Sequence, residues 1–581
     1  MSLVSNKWWL LFAALLLSEG VAFVGCSDKS NPGPNTVKEG PKNKPDPANP
    51  ADRRPGDPVA LTVDKDHTPP RETQPVKVPE VSPPLVTPPL FTPPAKTPDE
   101  VPKDDEANKP KPLLTDPVLF KDWPTPKAVL VFSGEQHGYL EPCGCAGFDN
   151  MKGGLTRRHT FIKELQAKGW PVAGLDVGGQ LNPRRHGAQG SLQFGGTIDS
   201  LKGMGYQVIG MGTTELLLSE TELVALTSGG NGVKSPFIAA NVGIFGFDET
   251  RVPFFRVLEI GGMKIGVTSV IGDKELKEVT AANIEHQPAA GALEKNVLPK
   301  LREAKCDRLI LLAYATPAEA KELGKQFSDF QLVVCAGPAT GAEPPAVAEQ
   351  IVDTNSQLVE VGHKGSHVVA IGLFDDQQTP FRYQRVPMDS RFKESPEMIQ
   401  IKAAMQQQLE VLEKAGENPE IKPQPHPANG SFVGSAACAE CHEAATTVFN
   451  QTPHAKAFDT LANLNPPRIH DPECLSCHVT GWNPQEFFPY ASGFLNKEKT
   501  PSLLHNGCEN CHGPGKAHVD AENNEKSSDK LKADLRTLMS LPLEAEKNRN
   551  RCAECHDGDN SPKFQVDFLQ YWKKIEHHGK N

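Results

Sequence analysis

Four copies of the pattern Cys-x-x-Cys-His lie near the C-terminus of the chain: Cys438–His442, Cys474–His478, Cys508–His512 and Cys552–His556. Residues three and four apart share one face of a helical turn, so both thiols of a copy can reach one porphyrin while the histidine is directed at its iron. This pattern is typical of c-type haem attachment. Zinc is the alternative for Cys-x-x-Cys pairs, but the histidine that follows all four pairs favours haem.

The pattern therefore predicts four haem c groups. Their attachment residues are Cys438, Cys441, Cys474, Cys477, Cys508, Cys511, Cys552 and Cys555, and their proximal iron ligands are His442, His478, His512 and His556. Six further histidines but only one methionine, Met539, lie between residues 431 and 581. Histidine is therefore the expected second ligand, and low reduction potentials are expected with it.

Residues 1–26 have the form of an export signal, with Lys7 ahead of a short apolar run. Val24-Gly25-Cys26 resembles a bacterial lipobox, with Phe23 in place of the usual aliphatic residue. We expect an exported lipoprotein, anchored in the membrane through Cys26 and facing the periplasm or the cell exterior. An uncleaved anchor and ordinary secretion are the alternatives, and all three leave the chain where bacteria attach c-type haem.

Residues 27–125 are expected to form a disordered linker, because they hold nearly half of the 53 prolines. Such a sequence favours polyproline II and cannot bury a core. The net charge of the whole chain is -11, which argues against nucleic acid as a partner.

Residues 126–393 alternate strand and helix patterns, which predicts an α/β layered sandwich with mixed sheets. Continuous apolar runs predict buried strands at 128–132, 172–176 and 331–335. Helices are expected at 154–168, 290–303 and 317–327, and antiparallel strands from Leu358, from Val368 and around Tyr383.

Residues 127–387 also resemble the calcineurin-like metallophosphatases, in particular the 5'-nucleotidase branch. The resemblance rests on the segments Glu135–Gly138, Gly153–Arg158, Asp176–Gln180 and Gly212–Glu215. Several ligands of that family are replaced, by Gly179, Thr213, Thr214, Tyr314 and the segment Ala336–Ala339. Glu135 and His137 remain as candidate metal ligands. Two-metal hydrolysis needs a bridging carboxylate, so phosphoesterase activity is disfavoured.

Four cysteines outside the haem motifs and the lipobox need a separate account. Cys143 and Cys145 are one residue apart near His137, and they could bind a soft metal or form a redox pair. An unusual disulfide and two plain thiols are the alternatives. Cys306 and Cys335 begin and end neighbouring strands, so we expect two unpaired core cysteines.

Residues 394–430 are expected to form a helix and a proline-rich hinge, and residues 431–581 a mainly α, loop-rich haem domain. The latter resemble the tetrahaem cytochrome c-554 family through Val433–Cys438, Thr452–Ala457, Cys477–Gly481, Cys508–His518 and Tyr571–His577. The resemblance implies three haems with two histidine ligands and an open second haem. It further implies that His577 caps haem 1, His454 haem 3 and His518 haem 4. His578 rivals His577, and we expect surface or second-shell roles for His470 and His505.

The leading function is electron transfer between unidentified donor and acceptor proteins through four covalently bound haems. A redox enzyme that acts on a small nitrogen or oxygen species at the open haem is the first alternative. A metal-dependent phosphoesterase with appended haems is the second. The middle domain could also be a module that binds a ligand or a partner.

Overall fold

The computed structural model describes residues 118–142, 151–185, 187–227, 235–281, 283–336, 343–415, 422–543, 546–558 and 560–577. All of them belong to one compact unit, Glu106–Asn581. The predicted signal with Cys26, the linker up to residue 117, and Cys143, Cys145 and His578 lie outside the described residues.

Two six-stranded sheets form the centre of the α/β region. With strands numbered along the chain, the first sheet contains β1 (Ala128–Ser133), β2 (Val172–Asp176), β3 (Tyr206–Gly210), β4 (Phe237–Ile238), β13 (His367–Leu373) and β14 (Phe381–Pro387). Its order is β14-β13-β1-β2-β3-β4, with β1 to β4 parallel and β13 and β14 antiparallel at one edge. Every residue of β1 is buried, as expected for an apolar strand covered on both faces.

The second sheet has parallel central strands and antiparallel edges. It contains β6 (Phe255–Ile260), β7 (Met263–Ile271), β9 (Arg308–Tyr314), β10 (Leu332–Cys335), β11 (Glu349–Gln350) and β12 (Gln357–Glu360), in the order β11-β12-β10-β9-β7-β6. A separate pair joins β5 (Val242–Ile244) to β8 (Ile284–His286). The strand at Leu358 is antiparallel to β11, as predicted, but parallel to β10 on its other side, while β13 and β14 are antiparallel to each other as predicted.

Helices cover both outer faces of the sheets, which gives the predicted layered sandwich. They are α1 (Leu155–Ala167), α2 (Gly187–Gly203), α3 (Glu220–Thr227), α4 (Asp273–Leu276), α5 (Ala289–Ala292), a π-helical stretch (Leu293–Val297), α6 (Leu298–Glu303), α7 (Pro317–Gln326) and α8 (Pro396–Ala415). One core lies among the sheets, α1, α2 and α8, and a second lies under α5, α6 and α7. Cys306 and Cys335 are both free thiols, as predicted.

The C-terminal region is made of short helices and loops, as predicted. Its helices are α9 (Ser435–Ala439), α10 (Glu443–Asn450), α11 (Ala457–Ala462), α12 (Pro472–His478), α13 (Cys508–His512), α14 (Lys516–Asn523), α15 (Asp529–Met539), α16 (Glu546–Ala553) and α17 (Phe564–Ile575), and its strands are β15 (Trp482–Asn483) and β16 (Phe488–Pro489). Its apolar clusters are small, one around Phe458 and Phe494 and one around Phe564 and Trp572. Within the residues described above, no helix combines the length and the apolar character needed to cross a membrane.

Candidate haem sites

Each Cys-x-x-Cys-His copy lies on or beside a short helix. The second copy ends α12, the third forms α13, and the first and fourth overlap the ends of α9 and α16. In the first and fourth copies the histidine N–H donates to the carbonyl of the first cysteine, at 2.9 Å in both. The helical turn inferred from the spacing is therefore present, and it brings both thiols and the imidazole of one copy to the same side.

Three of the histidines hold their Nδ1 against a backbone carbonyl. Nδ1 lies 2.7 Å from the Ala457 oxygen in His478, 2.7 Å from the Met539 oxygen in His512 and 2.8 Å from the Ile575 oxygen in His577. A carbonyl only accepts, so Nδ1 carries the proton and Nε2 keeps its lone pair. This is the tautomer that binds a metal through Nε2.

Three pairs of imidazole rings face each other at nearly the same separation. The ring centroids are 6.3 Å apart for His442 and His518, 6.0 Å for His454 and His556, and 5.8 Å for His512 and His577. Metal–imidazole bonds of about 2 Å place the centroids of two axial ligands about 6 Å apart. The residues present therefore fit three irons, each held between two histidines.

The pairs differ from those implied by the family resemblance. His518 faces the proximal histidine of haem 1, His577 that of haem 3 and His454 that of haem 4. The expected assignment of His577 to haem 1, His454 to haem 3 and His518 to haem 4 is therefore wrong in all three cases. The reason is the path of the chain: α14 directly follows the third motif and delivers His518 to the first, while α17 brings His577 back to the third.

Burial keeps several of these imidazoles neutral, which is the form that binds iron. It lowers the pKa of His454, His512 and His518, and it lowers the pKa of His556 to about 4.

His470 and His505 make other contacts. The Nδ1 of His470 is in hydrogen-bonding contact with Glu413, and its Nε2 lies 3.9 Å from Glu410; both carboxylates are on α8. The Nδ1 of His505 accepts the N–H of Phe458 at 3.3 Å. These contacts agree with the second-shell roles expected from the sequence.

The four motifs are linked side by side in the order 2-4-3-1. The nearby His478 of the second motif adds to burial in lowering the pKa of His454, which faces the fourth motif. Arg551, just before the fourth motif, donates to the Cys511 carbonyl of the third at 2.8 Å. Cys508 of the third motif is in hydrogen-bonding contact with Cys438 of the first.

The α/β region retains part of the predicted metal site as a hydrogen-bonded network. The Glu135 carboxylate lies 3.0 Å from Nε2 of His137, and both side chains are largely buried. Burial, and then the charge of Glu135, raise the pKa of the neighbouring Tyr314. Where the family has a bridging Asp, a Cβ on Gly179 would lie 2.9 Å from Glu135 Oε1. Across the described parts of the chain, no group of three or more His, Cys, Asp or Glu side chains is arranged to hold a metal ion.

Glu215, in the segment Gly212–Glu215, has a structural role. Its carboxylate accepts the backbone N–H groups of Gly179 at 3.1 Å, Gly212 at 2.7 Å and Leu181 at 3.3 Å, and also that of Gln180. Burial raises its pKa, while these hydrogen bonds oppose the shift. The loop after β2 is thus held by a carboxylate rather than arranged around metal ions.

A buried polar contact joins the α/β region to the start of α12, and the sequence did not reveal it. Arg185 contacts Asp471 and Glu473, and Glu141 pairs with both Lys402 of α8 and Arg468. One half of this contact can be recognised in the sequence. Asp471-Pro472 is a helix start, with an N-cap carboxylate ahead of proline, but nothing in the sequence identifies Arg185 as its partner.

The fold and these sites make the C-terminal region similar to c-type cytochromes. Residues 437–513 match the family described as "Cytochrome c554 and c-prime". A curated relative, cytochrome c-554 of Nitrosomonas europaea, is 33% identical over 102 residues. That match covers 15% of this chain and 41% of the relative, so the chain spans less than half the length of the relative.

Several solved structures are similar to this chain at low identity. They include the sulfate thiohydrolase SoxB of Thermus thermophilus, with 12% identity and a TM-score of 0.41 over 49% of this chain and 61% of that one. A 5'-nucleotidase precursor of Thermus thermophilus has 16% identity and a TM-score of 0.40 over 53% and 62%. The phosphoesterase YfkN of Bacillus subtilis has 12% identity and a TM-score of 0.39 over 48% and 97%. Both resemblances noted from the sequence are thus found again.

Proposed function

We propose that this protein is an exported electron-transfer protein with four haem c groups. The observation that carries the proposal is the set of three facing histidine pairs, each of which joins the histidine of one Cys-x-x-Cys-His motif to a histidine from elsewhere. Haem, when bound, supplies one-electron oxidation and reduction at its iron. The chain positions the four sites, and partial burial favours the neutral form of the imidazoles whose pKa it lowers.

The adjacency of the motifs supports a relay through the order 2-4-3-1. Short spacing between neighbouring sites favours passage of single electrons without movement of the chain. Haem 2 is then one end of the relay and haem 1 the other, and an external donor and acceptor exchange electrons with these ends. Lipidation of Cys26 would keep the relay at a membrane surface on the exported side.

The test is a count of haems with a redox titration. The purified full-length protein should give four haems per chain in a pyridine haemochrome assay, and its mass should confirm covalent attachment. A titration should resolve four one-electron steps, most of them at low potential because the axial ligands are histidines. Fewer than four covalent haems, or zinc in their place, would overturn the proposal.

A second function, reduction or oxidation of a small nitrogen or oxygen species at haem 2, is favoured by one observation. His454, His518 and His577 are directed at haems 4, 1 and 3, and His470 is held by α8. These four described histidines are engaged elsewhere, which supports an exchangeable position at haem 2. Carbon monoxide should bind one haem of four in the reduced protein. If it binds none, the enzyme hypothesis is excluded and electron transfer remains.

A further inference from the structure

Arg185, in the loop after β2 of the α/β region, lies buried against the helix that carries the second haem motif. Its guanidinium is 2.7 Å from Asp471 Oδ1 and 2.5 Å from Glu473 Oε2, and its Nε is 3.1 Å from the same Glu473 oxygen. The side chains of Arg185 and Asp471 are only 3% and 6% exposed. The electrostatic attraction in an ion pair so removed from water is screened much less than in a surface pair.

Asp471 is the residue that starts α12. Its carboxylate accepts the N–H of Glu473 at 3.2 Å and the side-chain amide of Gln406, on α8, at 2.9 Å. Helix α12 has only seven residues, Pro472–His478, and it contains both thiols and the imidazole of the second motif. A change at the first turn of so short a helix is transmitted to its last residue, which is the iron ligand.

The charges around this helix are unbalanced without Arg185. Asp471 and Glu473 place two carboxylates beside Cys474, and both act electrostatically on its thiol, as do the cations Arg185 and Arg468. Arg468 already pairs with Glu141. Arg185 is the cation that contacts both of these carboxylates directly, and its single charge compensates one of the two next to the point where haem 2 is attached.

We propose that Arg185 is a positioning residue for haem 2, through which the α/β region fixes the haem-2 helix and holds the potential of haem 2 above the value that two uncompensated carboxylates would impose. The inference rests on the proposed function, since it requires a haem at the second motif. Negative charge near an iron stabilises the oxidised state, which carries the greater positive charge. The α/β region thus acts on the end of the relay that lies against it.

The test compares Arg185→Met with Arg184→Met in the full-length haem-loaded protein. Arg184 is the adjacent residue, is exposed and donates to Gln485 at 3.0 Å, so its replacement removes the same charge without touching α12. Arg185→Met should shift one of the four redox steps to lower potential, by about tenfold in the ratio of reduced to oxidised haem, or about 59 mV for one electron. Arg184→Met should leave all four steps unchanged.

Two further variants separate charge compensation from a general loss of structure. Arg185→Lys keeps the charge but cannot contact both carboxylates in the same way, so its shift should be smaller. Arg185→Met combined with Asp471→Asn and Glu473→Gln removes one positive and two negative charges, so it should move the shifted step back up, to the wild-type potential or above it. If Arg185→Met loses haem 2 altogether, this triple variant should recover it.

The outcomes distinguish this inference from the proposed function. A wild-type protein with fewer than four haems overturns the proposed function itself. Four haems with unchanged potentials in Arg185→Met overturn the role of Arg185 and leave the proposed function standing. Equal shifts in Arg184→Met and Arg185→Met, or a triple variant as strongly shifted as Arg185→Met, also overturn it.

Discussion

The axial histidines are selected by where the loops deliver them rather than by their order along the chain. His454 lies between the first and second motifs, yet its ring faces His556 of the fourth. His518, six residues after the third motif ends, faces His442 of the first. The spacing of residues along the sequence identifies the haem-attaching cysteines and the proximal histidines, because those of one haem lie within a single short motif. The distal histidines depend on long-range packing. The sequence alone is therefore equally compatible with other assignments of the same histidines to the haems.

The pairing predicts which haem becomes accessible when a distal histidine is removed. His454→Ala should add one carbon-monoxide-binding haem to the reduced protein, because it opens haem 4. In a chain without haem 4, made by Cys552→Ala with Cys555→Ala, the same substitution should add none. His577→Ala should still add one in that background, since it opens haem 3. An additional binding haem from His454→Ala in the background without haem 4 would contradict the pairing.

Gly179 occupies a place in the loop after β2 that leaves no room for a side chain. Its φ is +82°, in the region that side chains avoid, and a Cβ there would meet Glu135. Gly179→Asp should lower the free energy of unfolding by about 2–4 kcal/mol, from backbone strain and from carboxylate repulsion. A urea titration monitored by near-ultraviolet circular dichroism measures this loss of stability.

Gly169→Asp is the matched control for that substitution. Gly169 has a similar φ of +75°, with no atom within 4 Å of an added Cβ. Gly169→Asp should lower the free energy of unfolding by only about 1–2 kcal/mol, for the backbone strain alone. Equal costs at the two positions would mean that contact with Glu135 contributes nothing.

At the scale of elements, continuous apolar runs predict the strands correctly, whereas the pattern of a glycine-rich helix does not reveal it. The strand expected at 172–176 is β2, and the helix expected at 154–168 is α1 to within a residue or so at each end. Helix α2 went unpredicted because five of its residues are glycine, a poor helix former. Packing against the first sheet and α8 overrides that local preference, and small residues are what let the helix approach closely.

Helix α8 connects the two regions through buried charge. Lys402 and Arg468 share the carboxylate of Glu141, and all three side chains are nearly inaccessible to water. Glu141→Gln leaves two buried cations without a counter-charge, so it should lower the free energy of unfolding by about 3–5 kcal/mol. Denaturant titration of the haem-loaded protein gives the value.

Glu397→Gln on the same helix is the control for this element. Glu397 pairs with Lys163 at 2.7 Å, but the two side chains are 52% and 49% exposed. Its loss should cost about 0–1 kcal/mol, as surface pairs generally do. A comparable cost for both substitutions would show that the buried cluster does not hold α8 and the haem region together.

For the whole molecule, charge determines which redox partners approach. The chain carries a net charge of -11, and residues 431–581 contain 16 Lys and Arg against 20 Asp and Glu. Haem propionates add further negative charge. We therefore expect like-charged partners to be repelled and donor and acceptor proteins to dock through basic patches.

This charge predicts the choice of small mediators and its dependence on salt. A cationic one-electron reductant should reduce the oxidised protein about tenfold faster than an anionic reductant of matched driving force at low ionic strength, because the field concentrates cations near the haem edges. At about 1 M salt the Debye length falls to about 3 Å, and the two rates should converge. Stopped-flow absorbance at the haem bands measures both series. Rates that do not depend on the sign of the mediator, or a preference that persists at high salt, would show that access to the end haems is governed by local contacts and not by the charge of the molecule.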